Sequence, residues 1–281
     1  MESAGQASGR AGLAAFLTGR IGRSRASRLT TSLAERPGLR SQGRCRGSPE
    51  GERLRPETIA IDGPAGSGKS TIGQALAARL HYAMVDTGLI YRLVARGVLD
   101  SAVDPDDMEA VLKVAVGVLK DVQVARTGAG GVVQVDSRPL SELRLHADDI
   151  SRTVPRVARF EPVREVVRQI QRRVISEGPT ILAGRDIGTV VAPEAELKLY
   201  LAVSLEERAA RKLWGQIADE FRSQAEVELQ LADRDRMDRE RETSPMRIAP
   251  DAVVIRTDKM SVDETVDIVV AMCGLELMDV G

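Results

Sequence analysis

At 281 residues the chain is long enough for one well-buried domain with an inserted lobe, or for two small domains. The formal charge of −1 is unevenly spread: residues 1–55 hold 11 Arg, no Lys and four Glu, a balance of +7, which leaves −8 for residues 56–281. No run approaches the ~18 apolar residues that span a bilayer, and Cys45 and Cys273, the two cysteines, support neither a disulfide framework nor a metal site, so no membrane partner and a reducing, cytoplasmic setting are expected.

Residues 1–55 are rich in Arg, Ser and Gly, with one short apolar stretch at Ala14–Leu17 and no period that would build a core. They read as an organelle transit peptide, as a basic arm for nucleic acid, or as translated sequence upstream of the true start codon. Disorder without catalytic function is the expectation. A secretory signal is not expected, because no basic start leads into an apolar core of sufficient length. Phe16 is the sole aromatic residue there, too few for a base-stacking platform, so no nucleic-acid partner is expected.

From Thr58 short apolar strands alternate with helical stretches, the pattern of a parallel sheet covered on both faces. Thr58–Asp62 is the first strand. It runs into Gly63, Pro64, Ala65, Gly66, Ser67, Gly68, Lys69, Ser70 and Thr71, a Gly-x-x-x-x-Gly-Lys-Ser phosphate-binding loop. Glycines let the backbone wrap phosphates with N–H groups, Lys69 places an ammonium on the β- and γ-phosphates, and the Ser70 hydroxyl can ligate Mg²⁺ carried by ATP. A helix follows over Ser70–Leu80, with Ile72, Leu76 and Leu80 at helical spacing. A strand at Ala83–Asp86 and a helix at Gly88–Leu99 come next.

Between Asp121 and Leu140, Val-Gln-Val-Ala and Val-Val-Gln-Val flank Thr-Gly-Ala-Gly-Gly, a β-hairpin within an inserted lobe of about residues 104–150. The glycine-rich turn has no lysine and no helix after it, so it is not a second nucleotide loop. Beyond it lie a helix at Pro162–Ser176 with proline in its first turn, strands at Thr180–Ala183 and Lys198–Val203, and helices at Leu205 to about Gln216 and Ala225–Arg241. A strand at Ala252–Arg256 and a helix opened by the Ser261/Glu264 capping box end the series.

Four clusters fall at the strand ends where such folds bind ligands. They are Asp86-Thr87-Gly88-Leu89-Ile90-Tyr91-Arg92; Pro162-Val163-Arg164; Gly184-Arg185-Asp186-Ile187-Gly188-Thr189; and Arg234, Asp238 and Arg241, spaced i, i+4, i+7 on one helix face. With the phosphate loop they occur in the order and spacing of one family. From about Glu57 to its end the chain resembles the bacterial-type cytidylate kinases.

That resemblance implies an α/β fold of the P-loop NTPase type, with a parallel sheet of about five strands flanked by helices, an inserted hairpin-bearing monophosphate-binding lobe and a short lid. It implies a kinase domain at residues 56–281, with the lid at about 214–241. The implied reaction is transfer of the γ-phosphoryl group of ATP to CMP or dCMP by a monomer. Lys69, Arg185 and Arg241 would be catalytic. Arg164 and Asp186 would hold the cytosine, and the chemistry agrees: a carboxylate accepts from the N4 amine while a guanidinium donates to N3 and O2, a pattern that uracil reverses. Asp238, supported by Arg234, would bond the sugar, and Arg92, Arg185 and Arg241 would clamp the phosphates. Asp86, Thr87 and Tyr91 join the substrate-binding set. A phosphate acceptor is already anionic, so no strong base is needed, and His81 and His146 are read as surface or capping residues.

Three positions depart from the family pattern. Pro155 stands where a base-reaching serine is common, Arg256 replaces a usual aspartate, and Trp214–Ser223 lacks a Lys-Gly turn. The competing readings are a shikimate-type kinase, a UMP or AMP kinase, and a nucleic-acid-binding module acting through the basic tail.

Overall fold

A computed structural model describes residues 55–127, 130–214 and 223–274. The expectations for residues 1–54, for the hairpin tip and for most of the Trp214–Ser223 segment therefore lie outside the described residues. Among the described residues, β1 (Thr58–Asp62), β2 (Ala83–Asp86), β3 (Val122–Thr127), β4 (Gly130–Val135), β5 (Arg138–Pro139), β6 (Thr180–Gly184), β7 (Leu197–Ala202) and β8 (Val253–Arg256) form one sheet. The helices are α1 (Lys69–Leu80), α2 (Thr87–Asp100), α3 (Met108–Leu119), α4 (Asp148–Ala158), α5 (Glu161–Ser176), α6 (Leu205–Trp214), α7 (Gln224–Glu240) and α8 (Val262–Met272).

Strands β2-β6-β1-β7-β8 run parallel in that order, and these are the five strands expected, with ends moved by at most one residue. Both faces of β1 are covered, as its unbroken apolar run requires. Ile59 and Ile61 join the core beneath α1 and α8, while Ala60 joins the core beneath α2, α3, α4 and α5. The chain leaves β1 in one direction to β2 and returns on the other side through β7. Its carboxyl end is thus the switch point where doubly wound sheets bind ligands.

The hairpin β3–β4 is present, and it does more than was expected of it. β4 pairs parallel with β2, with Ala83 opposite Gly131, so the insertion continues the central sheet. Gly131 permits this: a Cβ there would lie 2.7 Å from the Ala83 Cβ. Helices α3 and α4 were not foreseen. Asp107 caps α3, its Oδ1 accepting from the Glu109 and Ala110 amides at 3.1 Å, and Val111, Ala115 and Leu119 bury one stripe. Helix α4 carries Pro155 in its interior, which forfeits one backbone hydrogen bond, and it is held by burying Ile150, Val154 and Val157.

Candidate functional site

Between β1 and α1 the chain turns through glycines whose geometry a side chain would spoil. Gly66 and Gly68 adopt left-handed φ of +74° and +88°, and a Cβ on Gly63 would sit 2.7 Å from the Leu201 carbonyl oxygen. Gly68 caps α1 without a side-chain acceptor, so the first-turn amides are left for an anion. Lys69 Nζ donates to the Pro64 carbonyl at 2.7 Å and to Ser67 Oγ at 3.2 Å. Burial, then the nearby charge of Arg185, hold its pKa well below the ordinary lysine range. A bound phosphate would reverse that cost. Ser70 Oγ donates to Asp86 Oδ2, and Asp86 Oδ1 accepts from the Gly88 amide at 2.9 Å to start α2.

Asp62, the residue before the loop, was not singled out from the sequence. Its two oxygens accept from the amides of Ile187 at 2.9 Å and Gly188 at 2.8 Å, which ties the donor loop to the segment after β6. Burial pushes its carboxyl up to about 6 against the pull of those amides.

The second half of the site is a set of arginines held by carboxylates. Arg164 Nη2 donates to Asp186 Oδ2 at 2.5 Å, and both side chains are buried. The Arg164 guanidinium also lies 5.6 Å from the centre of the Tyr91 ring, and burial pushes the Tyr91 phenol up to about 12, so it is neutral. Arg185 Nε donates to Asp238 Oδ2 at 2.8 Å, and Arg241 approaches Asp238 Oδ1 at 3.4 Å and Asp186 Oδ1 at 3.6 Å. Burial raises the Asp238 carboxyl, but the charges of Arg185, Arg241 and Arg234 outweigh it and hold its pKa below the usual range. Arg234 is lowered to about 10, by burial first and then by Arg185. Arg92 donates to the Leu145 carbonyl at 2.8 Å and to Ser151 Oγ at 2.9 Å, which anchors the rim of the inserted lobe.

These groups share one cavity of about 940 Å³. It is lined by Ala65 to Thr71 of the loop and by Asp86, Thr87, Tyr91, Arg92, Arg164, Arg185, Asp186, Arg234, Asp238 and Arg241. Gly63 and Pro64 stand behind the lining: the one packs on β7, the other receives the Lys69 ammonium. Thr87 lines the cavity but spends its hydroxyl on the Ala183 carbonyl at 2.8 Å. His81 ends α1 in a left-handed conformation, a capping role, whereas His146 lines the cavity beside Arg92. The cavity is lined also by Arg211, Trp214, Thr257, Met260 and Val262, which sequence reasoning missed. Arg211 Nη2 donates to the Thr257 carbonyl at 2.5 Å, a contact that no local pattern announces.

The donor set at the loop mouth is a hydroxyl and a carboxylate, Ser70 and Asp86, hard oxygen ligands of the kind Mg²⁺ takes. Among the described residues no group of three or more His, Cys, Asp or Glu side chains could form a protein-only metal cage. The residues therefore fit a cation that arrives with a triphosphate.

Comparison with known proteins agrees with this geometry. The family model described as cytidylate kinase matches residues 59–274. The cytidylate kinase of Geobacillus kaustophilus is 39% identical over 213 residues, covering 75% of this chain and 93% of that protein. That of Cereibacter sphaeroides is 38% identical over 213 residues, covering 75% and 91%. The crystal structure of TT1252 from Thermus thermophilus covers 79% of this chain and 100% of its own, but at 22% identity and a TM-score of 0.40 it bears no weight. With the family model matching residues 59–274 and relatives matched over nearly their full length, the chain belongs to the cytidylate kinase family.

Proposed function

We propose that the chain transfers the γ-phosphoryl group of ATP to CMP or dCMP, giving ADP and CDP or dCDP, at the cavity described above. The observation that carries the acceptor is the buried Arg164–Asp186 pair. It presents a donor fork and a carboxylate side by side, the complement of the cytosine edge. A shikimate-type acceptor would need a base for its hydroxyl, and a uracil would set its carbonyl against Asp186.

Ala65 to Thr71 cradle the triphosphate, Lys69 moves from the Pro64 carbonyl onto the β- and γ-phosphates, and Ser70, with Asp86 beside it, holds Mg²⁺. That ion, when bound, neutralises the phosphate oxygens. Arg92, Arg185 and Arg241 draw the acceptor phosphate into line with the γ-phosphorus, and Asp238, supported by Arg234, keeps Arg185 and Arg241 aimed while reaching the sugar. The attacking oxygen is anionic near neutral pH, so alignment and charge neutralisation replace a general base. The kinase domain is residues 56–281, with the acceptor lobe at about 104–150 and the lid at about 214–241. We read the enzyme as a monomer that works in the cytoplasm without nucleic acid.

A coupled assay of ADP release tests this, with ATP·Mg²⁺ and CMP, dCMP, UMP, AMP or shikimate as acceptor. CMP and dCMP should turn over best. Efficient turnover of UMP with none of CMP would overturn the cytosine reading.

A further inference from the structure

Asp235 on α7 is 1% exposed and Arg208 on α6 is 5% exposed, and the two grip a single residue of the phosphate loop, Ala65, through the peptide groups on either side of it. Asp235 Oδ1 accepts from the Ala65 amide at 3.0 Å. Arg208 Nη1 donates to the Ala65 carbonyl at 2.9 Å and to Asp235 Oδ2 at 2.6 Å, closing the ring of contacts. The Ala65 side chain packs with Ala209, Val227 and Leu231 of the same two helices. Ala65 therefore has its amide, its carbonyl and its methyl group fixed from behind, next to Gly66 with its left-handed φ of +74°.

Two details set this pair apart from an ordinary internal ion pair. Arg208 Nε is buried with no hydrogen-bond partner, and an incompletely satisfied buried pair is a poor source of stability. Its position is also specific. Asp235 sits between Arg234 and Asp238, so α7 turns one stripe to the loop and the adjacent stripe, Arg234 and Asp238, to the acceptor half of the cavity; Arg241, expected on the same helix face, follows as the extended residue that ends the helix.

We propose that Asp235, braced by Arg208, is a positioning residue that sets the phosphate loop for ATP and, through the helix it shares with Arg234 and Asp238, couples occupancy of the donor site to the acceptor site. This rests on the reading of Ala65 to Thr71 as the donor phosphate site. A shift of Ala65 when phosphates enter is carried by Asp235 into α7, and so to the groups that hold the acceptor. Helix α7 acts here as a strut between two half-sites.

The test is Asp235→Asn, an isosteric change that leaves one oxygen to serve two donors. We expect KM for ATP to rise by about 10-fold or more and kcat to fall, since hydrogen bonds to a buried charge are lost. The Kd for CMP alone should stay within about 2-fold, and the gain in CMP affinity produced by a non-hydrolysable ATP analogue should disappear, followed calorimetrically and by the fluorescence of Trp214, the sole tryptophan. Wild-type kinetics in a folded Asp235→Asn protein would overturn the proposal, as would an equal loss of CMP binding without nucleotide. If that variant does not fold, Arg208→Lys decides: it keeps the cation but not the fork, and unchanged KM for ATP and unchanged coupling would overturn the proposal. A wild-type enzyme that ignores ATP and CMP would instead defeat the donor-site reading itself.

Discussion

Replacing Asp186 by asparagine removes the carboxylate that faces the guanidinium groups of Arg164 and Arg241. Asp186 accepts from Arg164 at 2.5 Å, and Arg241 Nη2, itself buried without a hydrogen-bond partner, lies 3.6 Å from its other oxygen. Arg164 is 2% exposed, so water cannot take the carboxylate's place. Breaking a buried pair from one side costs about 3–5 kcal/mol, and the remaining amide oxygen puts this case near 3. For a domain of this size that lowers Tm by roughly 6–12 °C. The effect on specificity is separate. A carboxylate can only accept, so it rejects the uracil O4, whereas an asparagine amide can also donate to it. A discrimination of about 1–3 kcal/mol, roughly 5- to 150-fold in kcat/KM for CMP over UMP, should collapse to a few-fold while KM for ATP changes little. The assay is the pair of kcat/KM values at saturating ATP beside a thermal melt. A variant that keeps both the wild-type CMP/UMP ratio and the wild-type Tm would refute the assignment.

Two further outcomes follow from the buried charges. Asp62 titrates near 6 in the folded protein against 3.8 as its ordinary value, so the folded state holds a proton that the unfolded chain has released between those pH values. Its contribution to stability is full below 3.8 and is lost as pH rises through 6, by up to roughly 3 kcal/mol. The Tm of the wild type minus that of Asp62→Asn should therefore be more positive at pH 4.5 than at 7.5, and a difference that is flat with pH would count against the shift. Lys69→Met should keep the fold, because the methylene stem is retained in its buried slot. It should cut kcat by roughly 10²–10³-fold with CMP and dCMP alike. A loss confined to one acceptor would show that Lys69 acts on the acceptor side and not on the shared triphosphate.

What could be read from the sequence was what is local. The phosphate loop, the Ser261 cap and the five parallel strands are each written in fewer than ten consecutive residues, and they stand where expected. Helix α3 escaped because Val111 to Leu119 is rich in β-branched residues that alternate as a strand would. Helix α4 escaped because Pro155 argues against a helix, and only tertiary burial of its neighbours overrides that. The meeting of Arg164 with Asp186 came from family resemblance, since no spacing rule joins residues on a helix and at a strand end. Asp62, Arg208 and Asp235 left no trace at all: each works through a backbone group distant in sequence, and a solitary buried carboxylate looks like any other acid.

The annealing of β4 to β2 bears on how the acceptor is met. Gly131 lets the hairpin lie against Ala83, and the chain that leaves the hairpin reaches the cavity rim, where Arg92 clasps the Leu145 carbonyl. The lobe proposed to take the monophosphate is thereby continuous with the sheet that carries the phosphate loop. A ligand entering such a lobe finds its contacts already ordered and loses little affinity to freezing them in place, the thermodynamic meaning of preorganisation.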